Sequence, residues 1–98
     1  MFEIELIETG HIAVAGRLDA AQAVKAQEFL DRVDGQFVLD LSELEYVSSA
    51  GLGVLLKTHK RLMGSGNGLK LINVNHHIHD IFRYSGFDKL FEIIPAEG

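Results

Sequence analysis

Phe37-Val38-Leu39-Asp40-Leu41-Ser42-Glu43-Leu44-Glu45-Tyr46-Val47-Ser48-Ser49-Ala50-Gly51-Leu52-Gly53-Val54-Leu55-Leu56 is the stretch from which the fold is read. Its opening residues, Phe37 to Leu41, form a short apolar run, which predicts an interior strand buried on both faces. Ser42 to Val47 reads as a linking loop. A helix follows, because Leu52, Leu55, Leu56, His59, Leu62 and Met63 recur at helical spacing. Lys57, Lys60 and Arg61 lie off that stripe, with the basic residues late in the helix, where its dipole favours them. Ser48 or Ser49 can cap the helix start, and Gly51 and Gly53 allow its first turn to pack closely.

Upstream, Phe2, Ile4 and Leu6 alternate with Glu3, Glu5 and Ile7, which predicts a half-buried strand. Thr9-Gly10-His11 turns the chain, and Ile12 to Gly16 returns as the second arm of a hairpin. Asp19 is placed as an N-cap for a helix carrying Ala23, Ala26, Leu30 and Val33 and ending near Asp34-Gly35. Downstream, Gly64-Ser65-Gly66-Asn67-Gly68 stops the second helix and Leu69 to Val74 forms a strand. Asn75 caps a third helix carrying Ile78, Ile81 and Phe82, which Gly86 ends. A last short strand runs from Leu90 to Ile94. The order β-β-α-β-α-β-α-β predicts one α/β domain over residues 1–98, a mixed sheet with crossover helices.

Composition narrows the function classes. The 98 residues are 47% hydrophobic and 23% charged, ordinary for a globular domain and too apolar for bulk disorder. No cysteine is present, so disulfide and thiolate chemistry are excluded. Nine basic residues against fourteen acidic ones leave a net charge of −5, which opposes a phosphate-backbone grip and makes nucleic acid an unsuitable partner. The N-terminal run Met1 to Leu6 carries acids where a secretory leader carries Lys or Arg. No apolar run reaches the ~18 residues of a membrane span. The expectation is a cytoplasmic protein that does not enter a membrane.

Few side-chain groupings carry chemistry. A Gly-x-Ser-x-Gly nucleophile frame is absent, because Val47 stands where the frame around Ser49 needs glycine. The glycine-rich segment 64–68 follows a helix and precedes a strand, the reverse of a phosphate-cradling loop. His76, His77, His79 and Asp80 could put two ligands on one helical face, but no third is identifiable, and a solvated surface is the expectation. Asp40, Glu43 and Glu45 read as strand-end and loop acids seeking water or caps. Neither an enzyme, a cofactor nor a metal is expected. The start of the second helix is different. Its exposed N–H groups and dipole favour a negative group by roughly 0.3–1 kcal/mol, so a phosphoserine there is locally accommodated. Its charge of about −2 would then oppose an acidic or apolar partner surface.

The run from Val38 to Leu56 resembles the signature of the STAS domain, and more narrowly that of stand-alone bacterial anti-sigma factor antagonists. Gly16-Arg17-Leu18-Asp19, Leu69 to Val74 and Ser85-Gly86-Phe87-Asp88-Lys89-Leu90-Phe91 extend the resemblance over nearly the whole chain. The resemblance implies an antagonist that, unphosphorylated, binds an anti-sigma factor serine kinase with a GHKL-type ATP site and so releases a sigma factor. Phosphorylation by that kinase dissociates the complex, and a phosphoserine phosphatase resets it. It implies a phosphoacceptor at the start of the second helix: Ser49, with Ser48 as second choice. Asp19, Ser42, Tyr46, Ser48, Ser49, Gly51 and Leu52 are the implied contact residues. The family pattern places an acid and two hydroxyl residues before Gly-Leu, whereas this chain has Ser48, Ser49 and Ala50. If the acceptor is the residue directly before the glycine, it is lost here. STAS domains also act as constitutive adaptors in lipid-transport and other regulatory assemblies, which need no phosphoryl switch. The partner's identity and the oligomeric state stay open.

Overall fold

The computed structural model describes residues 1–97, and all statements of structure refer to them. Six strands and three α-helices follow the order β1 (Phe2–Glu8), β2 (His11–Leu18), α1 (Ala20–Leu30), β3 (Phe37–Asp40), β4 (Leu44–Val47), α2 (Ser49–Met63), β5 (Leu69–Val74), α3 (His76–Ser85) and β6 (Glu92–Pro95). The strands form one mixed sheet in the order β1-β2-β3-β5-β6, with β4 paired to β2. Only the β1–β2 hairpin is antiparallel; β2, β3, β4, β5 and β6 run parallel.

The element missing from the sequence reading is β4. Leu44-Glu45-Tyr46-Val47 is a strand, not part of a linking loop. The eight residues of β2 make room for it: His11 to Ala13 pair with β3, and Gly16 to Leu18 pair with β4. β3 and β4 thus lie end to end beside one long strand. Leu44 and Val47 are buried and Glu45 is exposed, too short a pattern to outweigh the polar residues around it.

Burial is one-sided. Ile12, Val14 and Leu18 of β2 share a face with Leu39 of β3 and with Leu69 and Leu71 of β5, and all are buried. Against them pack Leu30 of α1, Leu55 and Leu62 of α2, and Ile78 and Phe82 of α3. The opposite face carries Glu3, Glu5, Ala13, Ala15, Val38, Lys70 and Ile72, every one half-buried or exposed. β3 is interior in the strand order, but it is not buried on both faces as its apolar run predicts. β1 also buries less than its alternation predicts. Phe2 is buried and Ile4 half-buried, while Leu6 is 58% exposed beside a register shift between Leu6 and Glu8.

Helix α1 stops at Leu30, earlier than Asp34-Gly35, yet Val33 is still buried. Arg61 of α2 explains the early stop: its Nη2 donates to the carbonyls of Leu30 at 2.9 Å and Val33 at 2.7 Å. The Leu30 carbonyl also accepts from the Val33 N–H at 3.0 Å, so Arg61 is its second donor. Helices α2 and α3 begin and end as the sequence predicts, with Ser48 and Asn75 as N-caps. The last strand starts at Glu92 because Phe87 to Lys89 form a short 3-10 turn.

Under α2, His59 is buried on the apolar stripe. Its Nδ1 accepts from the Leu69 N–H at 3.0 Å, and its ring stacks 4.6 Å from that of Phe91. Thr58 is also buried, and its hydroxyl has no hydrogen-bond partner. Burying such a group costs about 1–3 kcal/mol. Thr58→Val, which keeps the shape, should therefore raise stability by up to about 1 kcal/mol. A denaturation midpoint lower than wild type would show that the hydroxyl makes a bond not seen here.

Candidate functional site

Because β2 to β6 run parallel, their C-terminal ends share one edge of the sheet, where helix N-termini converge in such folds. Asp19, Ser48 and Asn75 cap α1, α2 and α3 there. The Asp19 carboxylate accepts from the Gln22 N–H at 3.1 Å, the Ser48 hydroxyl from Gly51 at 3.2 Å, and the Asn75 side-chain oxygen from Ile78 at 2.9 Å.

Parallel pairing sets the neighbours. Leu18 of β2 is in register with Val47 of β4, and the Ser48 N–H donates to the Leu18 carbonyl at 2.9 Å. The caps that follow those strands, Asp19 and Ser48, are therefore neighbours. One step back, Arg17 is in register with Tyr46 and its guanidinium lies 4.5 Å from the centre of the tyrosine ring, a cation–π pair. Ser49 is the first residue of α2 and is exposed, as is Ala50. Among the described residues its hydroxyl makes no hydrogen bond, and the first turn of α2 holds no acid. Ser48 is half-buried with its hydroxyl oxygen already accepting.

Gly51 makes this geometry. A Cβ there would lie 2.7 Å from Leu18 Cγ, 2.8 Å from the Leu18 carbonyl oxygen and 2.9 Å from Val47 Cγ2. Only a residue without a side chain lets α2 start so close to β2 and β4. Gly53 has no such role, because a Cβ there meets nothing within 4 Å.

The remaining candidates divide. Tyr46 is half-buried next to Arg17. Leu52 is only 7% exposed and belongs to the core, so with Gly51 it shapes the surface from beneath. Ser42 is exposed but lies before β4, at the opposite end of that strand from Ser48. The strand rise puts it roughly 10 Å or more from the α2 start.

Around Ser42 a second polar cluster has formed. Asp40 Oδ1 accepts from the Ser42 N–H at 2.9 Å and Oδ2 accepts from Asn73 Nδ2 at 3.1 Å. Asn73 adopts a left-handed φ of 55°, and Asn75 Nδ2 donates to the Leu44 carbonyl at 3.0 Å, tying α3 to β4. Asp40 thus acts as the strand-end acid that finds a cap. The Asn73 contact and the Arg17–Tyr46 pair were not legible, since both join residues remote in sequence. Burial raises the Asp40 pKa, but hydrogen bonds from Ser42 and Asn73 and the charge of His11 outweigh it and hold the carboxyl below its ordinary range. A depressed carboxylate contributes stability that is present above its unfolded pKa and is lost as pH falls through the folded value. The wild-type denaturation midpoint should therefore fall more steeply than that of Asp40→Asn between about pH 5 and pH 2. Parallel pH profiles would mean the carboxylate is not linked to folding.

On α3, His76 lies 3.5 Å from Asp80, which also pairs with Arg83 at 3.2 Å. Among the described residues no three His, Cys, Asp or Glu side chains come together as a metal set. No helix among them is long and apolar enough to cross a membrane.

The family model described as Mlab, STAS domain matches residues 5–95. A curated protein of Listeria monocytogenes, named anti-sigma-B factor antagonist, is 35% identical over 102 residues, covering 98% of this chain and 90% of its own. In fold, the chain is similar to an anti-sigma factor antagonist from Mycobacterium paratuberculosis, with a TM-score of 0.79 and 24% identity, over 97% of this chain and 85% of that one. It is similar also to the Bacillus cell fate determinant SpoIIAA in its phosphorylated form, with a TM-score of 0.68 and 17% identity, over 95% and 90%.

Proposed function

The chain belongs to the STAS-domain family, and on that footing we propose that it is an anti-sigma factor antagonist whose grip on an anti-sigma factor serine kinase is released by phosphorylation of Ser49. The role is drawn from the relative named as an antagonist that shares 35% of its residues over nearly the whole chain. That relative is named for opposing another protein, an anti-sigma-B factor.

The observation that carries the switch is the contrast between the two serines. Ser49 stands exposed at the first position of α2 with its hydroxyl unengaged, whereas the hydroxyl of Ser48 holds the N-cap. A phosphoryl group on Ser49 adds about −2 charge and three acceptor oxygens at the positive end of a helix dipole. The fold tolerates it while the surface beside Asp19 gains negative charge. Arg17, Asp19, Tyr46 and Ser48 would frame the kinase contact, and a GHKL-type ATP site on the kinase would supply the phosphoryl group. A phosphoserine phosphatase would restore the binding form.

Ala50 favours a second reading. It occupies the exposed position directly before Gly51, where the family pattern has a hydroxyl. A chain without an acceptor there would serve as a constitutive adaptor for an ATPase subunit. Incubation of the purified protein with ATP and lysate of its own source, followed by mass spectrometry, separates the two. Phosphate on Ser49 that disappears in Ser49→Ala supports the switch. Absence of phosphate, with a known antagonist phosphorylated in the same lysate, puts the adaptor ahead.

A further inference from the structure

On the flank away from the α2 start, we infer that the slot between β1 and α1 binds a medium-chain carboxylate, with its head at Lys25 and Arg32 and its tail against Leu6, Phe29 and Phe37. Two adjoining hollows share Phe29 and Arg32. One, of about 260 Å³, is bordered by Ile4, Lys25, Glu28, Phe29 and Arg32. The other, of about 160 Å³, is apolar apart from Arg32 and is lined by Leu6, Ile12, Phe29, Val33 and Phe37. Ile12 and Val33, 0% and 6% exposed, form its floor. A hollow with two cations at its border, beside an apolar one that shares Phe29 and Arg32 with it, matches a ligand with a charged end and an apolar end.

Charge fixes the sign of the head. Neither Lys25 nor Arg32 takes part in an ion pair among the described residues. The Lys25 ammonium lies 6.0 Å from the centre of the Phe2 ring. Glu28 offsets one of the two cations, which leaves a single positive charge on a chain whose net charge is −5. One carboxylate matches that balance. The tail of a medium-chain carboxylate runs from the cations along Ile4 and Phe29 into the apolar hollow.

The test is titration of the isotopically labelled full chain with decanoate below its micelle concentration, followed by amide NMR shifts. Saturable shifts at Ile4, Leu6, Phe29, Val33 and Phe37 are expected. Decyltrimethylammonium, with the same tail and the opposite charge, should bind at least tenfold more weakly. Lys25→Gln combined with Arg32→Gln changes only exposed residues, so the variant should stay folded and lose at least tenfold in decanoate affinity. Glu28→Gln should tighten binding. The inference is overturned by the absence of a saturable shift, by equal binding of the cationic amphiphile, or by an unchanged affinity in the double variant. Binding to phosphatidylglycerol vesicles without binding to free decanoate would make the slot a membrane contact instead.

Discussion

Gly51→Ala is expected to destabilise the fold by about 1–3 kcal/mol, the range for forcing a methyl into a close-packed interior. Helix propensity works the other way, since alanine is favoured over glycine by about 1 kcal/mol in a helix. The contacts decide the sign: Leu18 Cγ, the Leu18 carbonyl oxygen and Val47 Cγ2 would all lie within 2.9 Å of the new methyl. One of the three is backbone of β2, a strand paired on both sides, and cannot swing aside. The control sits two residues away. Gly53→Ala meets open space, so there propensity acts alone and stability should rise by up to about 1 kcal/mol. For a domain of this length each kcal/mol moves the melting temperature by about 4–8 °C, so the two variants should melt on opposite sides of wild type. If both glycine variants melt higher, α2 does not start as close to β2 and β4 as described. Gly51→Ala should also loosen partner binding, because any retreat of α2 carries Ser49 with it.

These glycines show how far the sequence can be read. The spacing of Leu52, Leu55, His59 and Leu62 announces α2 and its buried face, and Asn75 and Gly86 announce the limits of α3. Both Gly51 and Gly53 read as packing residues, however, and only the position of β2 tells them apart. β4 was hidden because a four-residue strand acquires its identity from its partner, here the second half of β2. The one-sided burial of β3 was hidden for the same reason: Val38 is apolar, but no helix covers its face. Of the candidate contact residues, Asp19, Tyr46, Ser48 and Ser49 are brought to one end of β4. Leu52 lies inside and Ser42 at the other end of that strand, distinctions that depend on strand length and register.

The largest functional effect is expected from Ser49→Asp. Nothing in the first turn of α2 opposes a negative charge, so the variant should fold and melt like wild type or slightly higher. Its partner affinity should nevertheless fall at least tenfold, about 1.4 kcal/mol. A charge introduced into a surface matched to a neutral serine must either meet like charge or lose its water unpaired, and each costs binding energy. Beside Asp19 the added carboxylate also makes a doubly negative spot. A phosphoryl group, with about twice the charge, should act more strongly still. Ser49→Ala removes the hydroxyl without adding charge and should bind persistently.

The phosphoryl switch is tested most directly by isothermal titration of the proposed partner kinase, captured from the source cells with the unmodified chain. It would be titrated in turn with the unmodified protein, the Ser49-phosphorylated protein and Ser49→Ala. Tight and equal binding of the first and third forms is expected, with a loss of at least tenfold for the phosphorylated form. Equal affinity of all three would contradict it and leave the α2 start as a contact surface without a switch.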